Sequence, residues 1–229
     1  MTTWILLIIG GYFLGSIPVS LLAARSRGID LRKLGTHQVG SGNLWRTTSR
    51  RLAVFVGIFD FSKGIALMTI GGRLGLDPGE QMIVGLAVII GHNWPVFLRF
   101  HGGRGIATAA GIIFFMPIIN DVTFWPAVIA LVVLLVGVVL YHSTPVAVLI
   151  GVALQPVLFA AFQEPPAVTL AYFALLLIVI IKRLTAQPAT EKRQTSIWRV
   201  LLNRLLYDRD ISDRKAWVSR KEAAKKEPV

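Results

Sequence analysis

The stretch MIVGLAVIIGHNWPVFLRFHGGRGIATAAGIIFFMPII, residues 82–119, decides how the chain must be read. Both of its ends are apolar runs approaching the roughly 20 residues that a lipid core demands of a helix. Between them sits a basic turn in which Gly102, Gly103 and Gly105 surround Arg104. Apolar runs of the same kind recur at about 4–24, 52–72, 123–141, 145–163 and 167–182. With 82–99 and the short, glycine-rich 104–119, they predict an all-α polytopic membrane protein of about seven transmembrane helices. A hydrophobic fraction of 54% over 229 residues agrees. The first run has no basic flank before it and no small-residue cleavage site after it, so it reads as a retained span.

The charges sort by loop. Residues 25–51 carry Arg25, Arg27, Arg32, Lys33, Arg46, Arg50 and Arg51 against Asp30 alone. Arg99 and Arg104 flank the turn near 99–105, and the segment after Ile181 is dense in Lys and Arg. The alternate connections lean acidic, with Asp77 and Glu80 against Arg73, then Asp121, then Glu164. By the positive-inside rule the N-terminus lies outside and the C-terminus in the cytoplasm. The same rule accounts for the net charge of +12, so no nucleic-acid partner is implied. The chain has no cysteine, which excludes disulfides, thiolate metal sites and a thiol nucleophile.

Two parts follow: a transmembrane domain, 1–182, and a basic cytoplasmic tail, 183–229. In the tail, SIWRVLLNRLLYDRD places Ile197, Leu201, Leu202, Leu205 and Leu206 at helical spacing, with Arg199, Arg204 and Arg209 on other faces. Such a helix suits either an anionic leaflet or the end of the bundle. After about Ser212 the composition is that of a disordered basic end.

Three segments carry chemistry. In GTHQVGSGNLWRTTSRR, 35–51, Gly40, Ser41, Gly42 and Asn43 can turn tightly and aim backbone amides at an anion. Ser41, Thr47, Thr48, Arg46, Arg50 and Arg51 add hydroxyl and guanidinium donors. A solvated loop holding positive-inside charge is the plainer reading. In FDFSKG, 59–64, Asp60 and Lys63 stand inside an apolar span, three residues apart and able to pair. They serve either as an internal structural pair or at a site. In GHNWPVFLRFHGGRGIAT, 91–108, His92 ends a span and Pro95 breaks its helix. The glycines then leave backbone amides open beside Arg104, at the start of the next helix. The assembly is an anion cradle suited to phosphate, or else a hinge with a snorkelling arginine.

Familiar hydrolase and acyltransferase templates fail. Ser41 has Val39 where a G-x-S-x-G elbow needs glycine. No histidine is followed by Asp at the fifth position, and His37, His92, His101 and His142 show no metal-ligand spacing. An enzyme built this way would act on an already activated, phosphorylated substrate, chiefly by positioning and electrostatics.

YFLGSIP (12–18), GSGN (40–43), DFSKG (60–64) and GHNWPVFLRFHGGRGIAT (91–108), in this order, resemble the acyl-phosphate-dependent glycerol-3-phosphate acyltransferases, the PlsY family. The resemblance implies a seven-helix protein of the bacterial inner membrane. It would transfer a fatty acyl group from acyl phosphate to the 1-hydroxyl of sn-glycerol 3-phosphate, releasing lysophosphatidic acid and phosphate. Membrane lipid surrounds it, and neither metal, acyl-CoA nor any other cofactor is implied. Carried across, Ser41 and Arg51 bind and orient the substrates as catalytic residues. Gly40, Gly42, Asn43, Thr47, Lys63, His92, Gly102, Gly103, Arg104, Gly105 and Ser143 are the implied substrate-binding set. Arg104 stands where the family has a phosphate-contacting lysine. In one proposal for the family the acceptor's own phosphate assists proton removal.

Two departures mark the chain. The family follows GSGN with x-G-A-T-N, whereas this sequence has LWRTT, 44–48. The family also has His-x-x-Asn before IKRL, where Leu177 and Ile180 stand here. They leave open a homologue with another acceptor, one that only hydrolyses the donor, or a non-catalytic lipid-binding or transport protein.

Overall fold

A computed structural model describes residues 1–141, 144–185 and 196–218. Ten α-helices, a short helical turn at 214–218 and no strands are found among the described residues. They are α1 (Thr2–Ser16), α2 (Val19–Arg25), α3 (Ser41–Thr47), α4 (Arg50–Arg73), α5 (Pro78–Asn93), α6 (Ile106–Ile119), α7 (Trp125–Tyr141), α8 (Thr144–Ala161), α9 (Pro166–Leu184) and α10 (Ile197–Tyr207). Five stretches are long and apolar enough to cross a membrane: Thr2–Arg25, Arg50–Arg73, Pro78–Leu98, Thr144–Ala161 and Pro166–Leu184. Ile106–Ile119 and Trp125–Leu140 are shorter apolar helices. The seven together account for the sequence-predicted spans.

The first span is broken at Ile17–Pro18, since proline cannot donate to a continuing helix. α5 is started firmly. Asp77 accepts from the Glu80 amide at 2.9 Å, Glu80 accepts from the Asp77 amide at 3.1 Å, and Pro78 occupies the first turn.

α5 is the central helix, buried along most of its length and flanked by α1, α4, α6 and α9. Without a hydrophobic drive between helices in lipid, close approach needs small residues. Gly15 of α1 and Gly91 of α5 supply it. A Cβ on Gly15 would overlap the Val88 carbonyl, and one on Gly91 would overlap that of Tyr12. The main core joins Met68, Met82, Ile89, Ile112, Met116, Phe159, Tyr172 and Leu175. A second cluster of Leu21, Leu31, Val39, Leu44 and Val56 packs beneath the polar segment that precedes α4.

The tail corrects two expectations. Residues 213–218, read as part of a disordered end, are ordered, with Trp217 buried. Arg204, expected on an outer face of the amphipathic helix, is buried, while Ile197, Trp198 and Leu202 face outward. α10 packs on the ends of α8 and α9. Arg183 donates to the Leu205 carbonyl at 2.6 Å and to that of Pro145 at 2.7 Å. Arg204 donates to the Leu184 carbonyl at 2.8 Å and pairs with Asp210 at 2.6 Å.

Candidate active site

The polar stretch 35–51 is not an open loop. It contains α3, whose start at Ser41 follows an extended Gly40. Buried Asn43 organises what precedes it. Its amide nitrogen donates to the carbonyls of Leu31, Leu34 and Gln38 at 3.0–3.1 Å, and its oxygen accepts from the Thr36 amide at 3.0 Å. Gly35 lies at φ 59 directly over Asn43 and Thr47, a place and a conformation that a side chain would not tolerate. Thr47 donates back to the Asn43 carbonyl at 2.8 Å. Asn43→Asp would set a carboxylate against three carbonyl oxygens. Its expected effect is a loss of about 2–3 kcal/mol in stability. A lowered thermal midpoint and new protease cleavage within 31–40 would report it; an unchanged midpoint would refute the clamp.

This clamp brings the segment against the second glycine turn. Gly103 lies between the His92 imidazole and the Val39 carbonyl, with room for neither to meet a Cβ. The amides of Gly102 and Gly103 are not open to an anion as the sequence suggests. They donate to the carbonyls of Asn93 at 3.2 Å and His92 at 3.0 Å, closing the end of α5. What remains for a ligand is the start of α6, whose first-turn amides have no partner within the helix. Gly105 caps it at φ 69, beside the Asn93 side chain. That side chain is fully buried, and neither its oxygen nor its nitrogen has a partner among the described residues.

Behind the turn, Asp60, Lys63 and His92 form one buried cluster. Lys63 Nζ donates to Asp60 Oδ1 and to His92 Nδ1, both at 2.8 Å, and lies 3.4 Å from the Gly15 carbonyl. An ammonium only donates, so Nδ1 accepts and the Nε2 edge of the ring faces Gly103. Lys63 is 3% exposed, so the structure places it behind the turn rather than on its surface.

In front of the turn opens a cavity of about 440 Å³. Arg104 reaches into it and is held on three sides. It contacts the Asp208 carboxylate at 3.1 Å, donates to the Lys182 carbonyl at 3.0 Å, and reaches the Gln38 amide oxygen, turned toward it, at 2.6 and 3.1 Å. Burial raises the Asp208 pKa above the ordinary carboxylate value, against the opposing charges of Arg104, Arg183 and Lys182. Lys182 is buried; its ammonium donates to the Asn93 carbonyl and lies 5.1 Å from the Trp94 ring.

Ser41, half-buried, lies against Gly57 of α4. Gly42, exposed, gives its carbonyl to Arg46 at 2.8 Å. Arg51 stands exposed in the first turn of α4, and among the described residues no hydrogen bond or ion pair ties it to either glycine segment. Ser143 lies outside the described residues. Trp45, which replaces a small residue of the family pattern, turns outward beneath Arg50 at 5.5 Å and does not crowd the cavity.

The glycerol-3-phosphate acyltransferase family profile matches residues 5–187. Glycerol-3-phosphate acyltransferase 4 of Dehalococcoides mccartyi (strain CBDB1) is 39% identical over 98% of this chain and 97% of its own. The chain belongs to the glycerol-3-phosphate acyltransferase family. Glycerol-3-phosphate acyltransferase 5 of D. mccartyi (strain ATCC BAA-2266 / KCTC 15142 / 195) is 37% identical over 98% of this chain and 96% of its own. The crystal structure of the integral membrane acyltransferase PlsY (YgiH) in its glycerol 3-phosphate form matches with a TM-score of 0.69 at 28% identity. It covers 79% of this chain and 88% of that one. The protein is thus a multi-pass integral membrane member of an enzyme family.

Within the family frame, α9 presents Val179, Lys182 and Arg183 to the cavity, while Leu177 is exposed. Sequence reasoning missed Gln38, Asn93 and Asp208 as parts of the site. The first two sit inside the recognised segments 35–51 and 91–108 but carry no pattern of their own. Asp208 is more than 100 residues from Arg104, and only the docking of α10 joins them.

Proposed function

We propose that the protein transfers a fatty acyl group from acyl phosphate to the 1-hydroxyl of glycerol 3-phosphate at the cytoplasmic face of the bacterial inner membrane. The hydroxyl oxygen would bond to the acyl carbon, the bond from that carbon to the phosphate oxygen would break, and the proton would leave with a phosphate group. The donor is a mixed anhydride, so the protein needs chiefly to hold two anions in register. The observation that carries this reading is the glycine turn wedged between His92 and Val39, with Arg104 and the start of α6 facing one basic cavity. Ser41 and Arg51 orient the substrates in this scheme, and Arg104 neutralises the phosphate as a bidentate donor. An aliphatic groove of about 440 Å³ along α7 and α8, lined by Val132, Val136, Ala147 and Ile150, suits the donor's tail.

The test is lysophosphatidic acid formation by the purified protein with palmitoyl phosphate, with and without glycerol 3-phosphate. Product that depends on glycerol 3-phosphate is the expected result. The apolar Leu177 and Ile180 favour a second reading, in which another acceptor or water takes the acyl group. Phosphate release without lysophosphatidic acid would establish that reading instead.

A further inference from the structure

The cavity in front of Arg104 is lined, among the described residues, by Arg46, Arg104, Lys182, Arg183, Arg209 and Arg214 against one carboxylate, Asp208. Arg104, Lys182 and Arg183 belong to the stretch that the family profile matches, which ends at residue 187. Arg209 and Arg214 come from beyond it. The two D. mccartyi relatives align over 98% of the chain, so the tail is shared with them. Arg46 lies in the rewritten LWRTT segment of α3. Three guanidiniums that the family pattern does not call for therefore meet on one wall.

The tail segment that carries two of them is anchored there. Trp217 is buried, and Asp213 caps the helical turn 214–218 by accepting from the amides of Lys215 at 2.7 Å and Ala216 at 3.1 Å. Asp210 ties the segment back to Arg204 of α10. Arg209 donates to the carbonyls of Ile211 and Ser212, and Arg46 to that of Gly42. Arg46 is thus positioned by a carbonyl that does not neutralise it. Burial, and then repulsion from Arg214, lowers the pKa of both Arg46 and Arg209, against the opposing charges of Asp213 and Asp208 at Arg209. Like charges collected on an anchored wall are stabilised by an anion.

A single phosphate on Arg104 would not need this wall. A phosphate monoester carries about −1.5 to −2 at neutral pH, and two of them match six cations and a carboxylate far better than one. Meanwhile α9 offers the cavity an apolar Val179 and leaves Leu177 exposed, so it brings no neutral polar donor there.

We propose that Arg46 of α3 with Arg209 and Arg214 of the tail form a second anion subsite, which holds the phosphate of the acceptor glycerol 3-phosphate opposite the Arg104 side. The tail is then part of the active site. This assignment of the occupant rests on the proposed function, and the experiment separates the two. Full-length protein is studied in neutral detergent free of anionic lipid, so that binding there belongs to a soluble phosphate ester. Isothermal titration measures glycerol 3-phosphate binding to the wild type, Arg46→Ala, Arg214→Ala, the double variant and Arg214→Lys. The KM values for glycerol 3-phosphate and palmitoyl phosphate are measured in parallel. The expected result is glycerol 3-phosphate binding weakened at least about tenfold in the double variant, weakened in Arg214→Ala and largely kept in Arg214→Lys. The KM for palmitoyl phosphate should stay within about twofold, a split that general damage to the fold would not give. Unchanged glycerol 3-phosphate affinity would overturn the subsite, as would equal weakening toward both substrates. If the wild type forms no lysophosphatidic acid, the proposed activity fails. The titration still decides the subsite: weakened binding in the double variant supports it, and equal binding overturns it.

Discussion

Gly103→Ala is expected to lower lysophosphatidic acid formation by about two orders of magnitude or more while the protein still inserts and folds. The cause is local and steric. A Cβ at Gly103 would overlap His92 Nε2 and lie 2.7 Å from the Val39 carbonyl oxygen. Neither neighbour is a flexible chain end. His92 is fixed from its other edge by Lys63 at 2.8 Å, and Val39 belongs to the buried cluster under α3. The added methyl must therefore part the two glycine segments. One of them carries Ser41 and the other Arg104, so their spacing is what the proposed reaction depends on. Misplacement by about an ångström is enough for a hundredfold loss. Overpacking of this kind destabilises by about 1–3 kcal/mol, less than the total stability of most folded domains. Gly10→Ala is the control, because a Cβ on Gly10 meets nothing within 4 Å. Activity within about threefold of wild type in Gly103→Ala would remove the wedge from the account of the site.

The sequence foretells the wedge only in part. Glycines around Arg104, next to a helix start, read in the sequence as an anion cradle or as a hinge with a snorkelling arginine, because either arrangement has a local cause. Which amides face the ligand is not local. Those of Gly102 and Gly103 are taken by the end of α5, a consequence of the chain doubling back after Pro95. Span positions are legible from hydropathy alone, since in lipid each helix must satisfy its own backbone. The break at Pro18 has a local cause in the proline, whereas the burial of Arg204 depends on which neighbour its helix meets. Asn43 is legible as a motif residue, yet its three donated bonds reach back to a segment with no regular pattern. The tail is the largest gap. Its amphipathic spacing permits membrane or bundle equally, and only the partners of Arg183 and Arg204 decide for the bundle.

Asp60→Ala carries the other large effect, this time on stability. Lys63 is 1% exposed by its side chain, and Asp60 is its one anionic partner among the described residues. Removing the carboxylate leaves a buried ammonium with only an imidazole nitrogen and a carbonyl at 3.4 Å. Breaking a buried pair from one side destabilises by about 3–5 kcal/mol. The same residue also anchors α6 through its backbone, where the Thr108 hydroxyl donates to the Asp60 carbonyl at 2.8 Å. The carbonyl survives the substitution, so the loss measured belongs to the charge. Replacing both members, as Asp60→Leu with Lys63→Met, removes the stranded charge and is expected to recover most of the thermal midpoint. Unfolding in detergent of the two single variants and the double variant gives the coupling directly. A midpoint in Asp60→Ala equal to wild type would show that the pair does not hold the bundle together. The double variant also bears on function. In it His92 loses the ammonium that fixes its ring, while the helices keep their packing. A folded double variant with weak transfer would mean that the pair acts through His92 on the Gly103 turn. A folded double variant with full transfer would confine Asp60 and Lys63 to structure and leave the turn positioned by backbone alone.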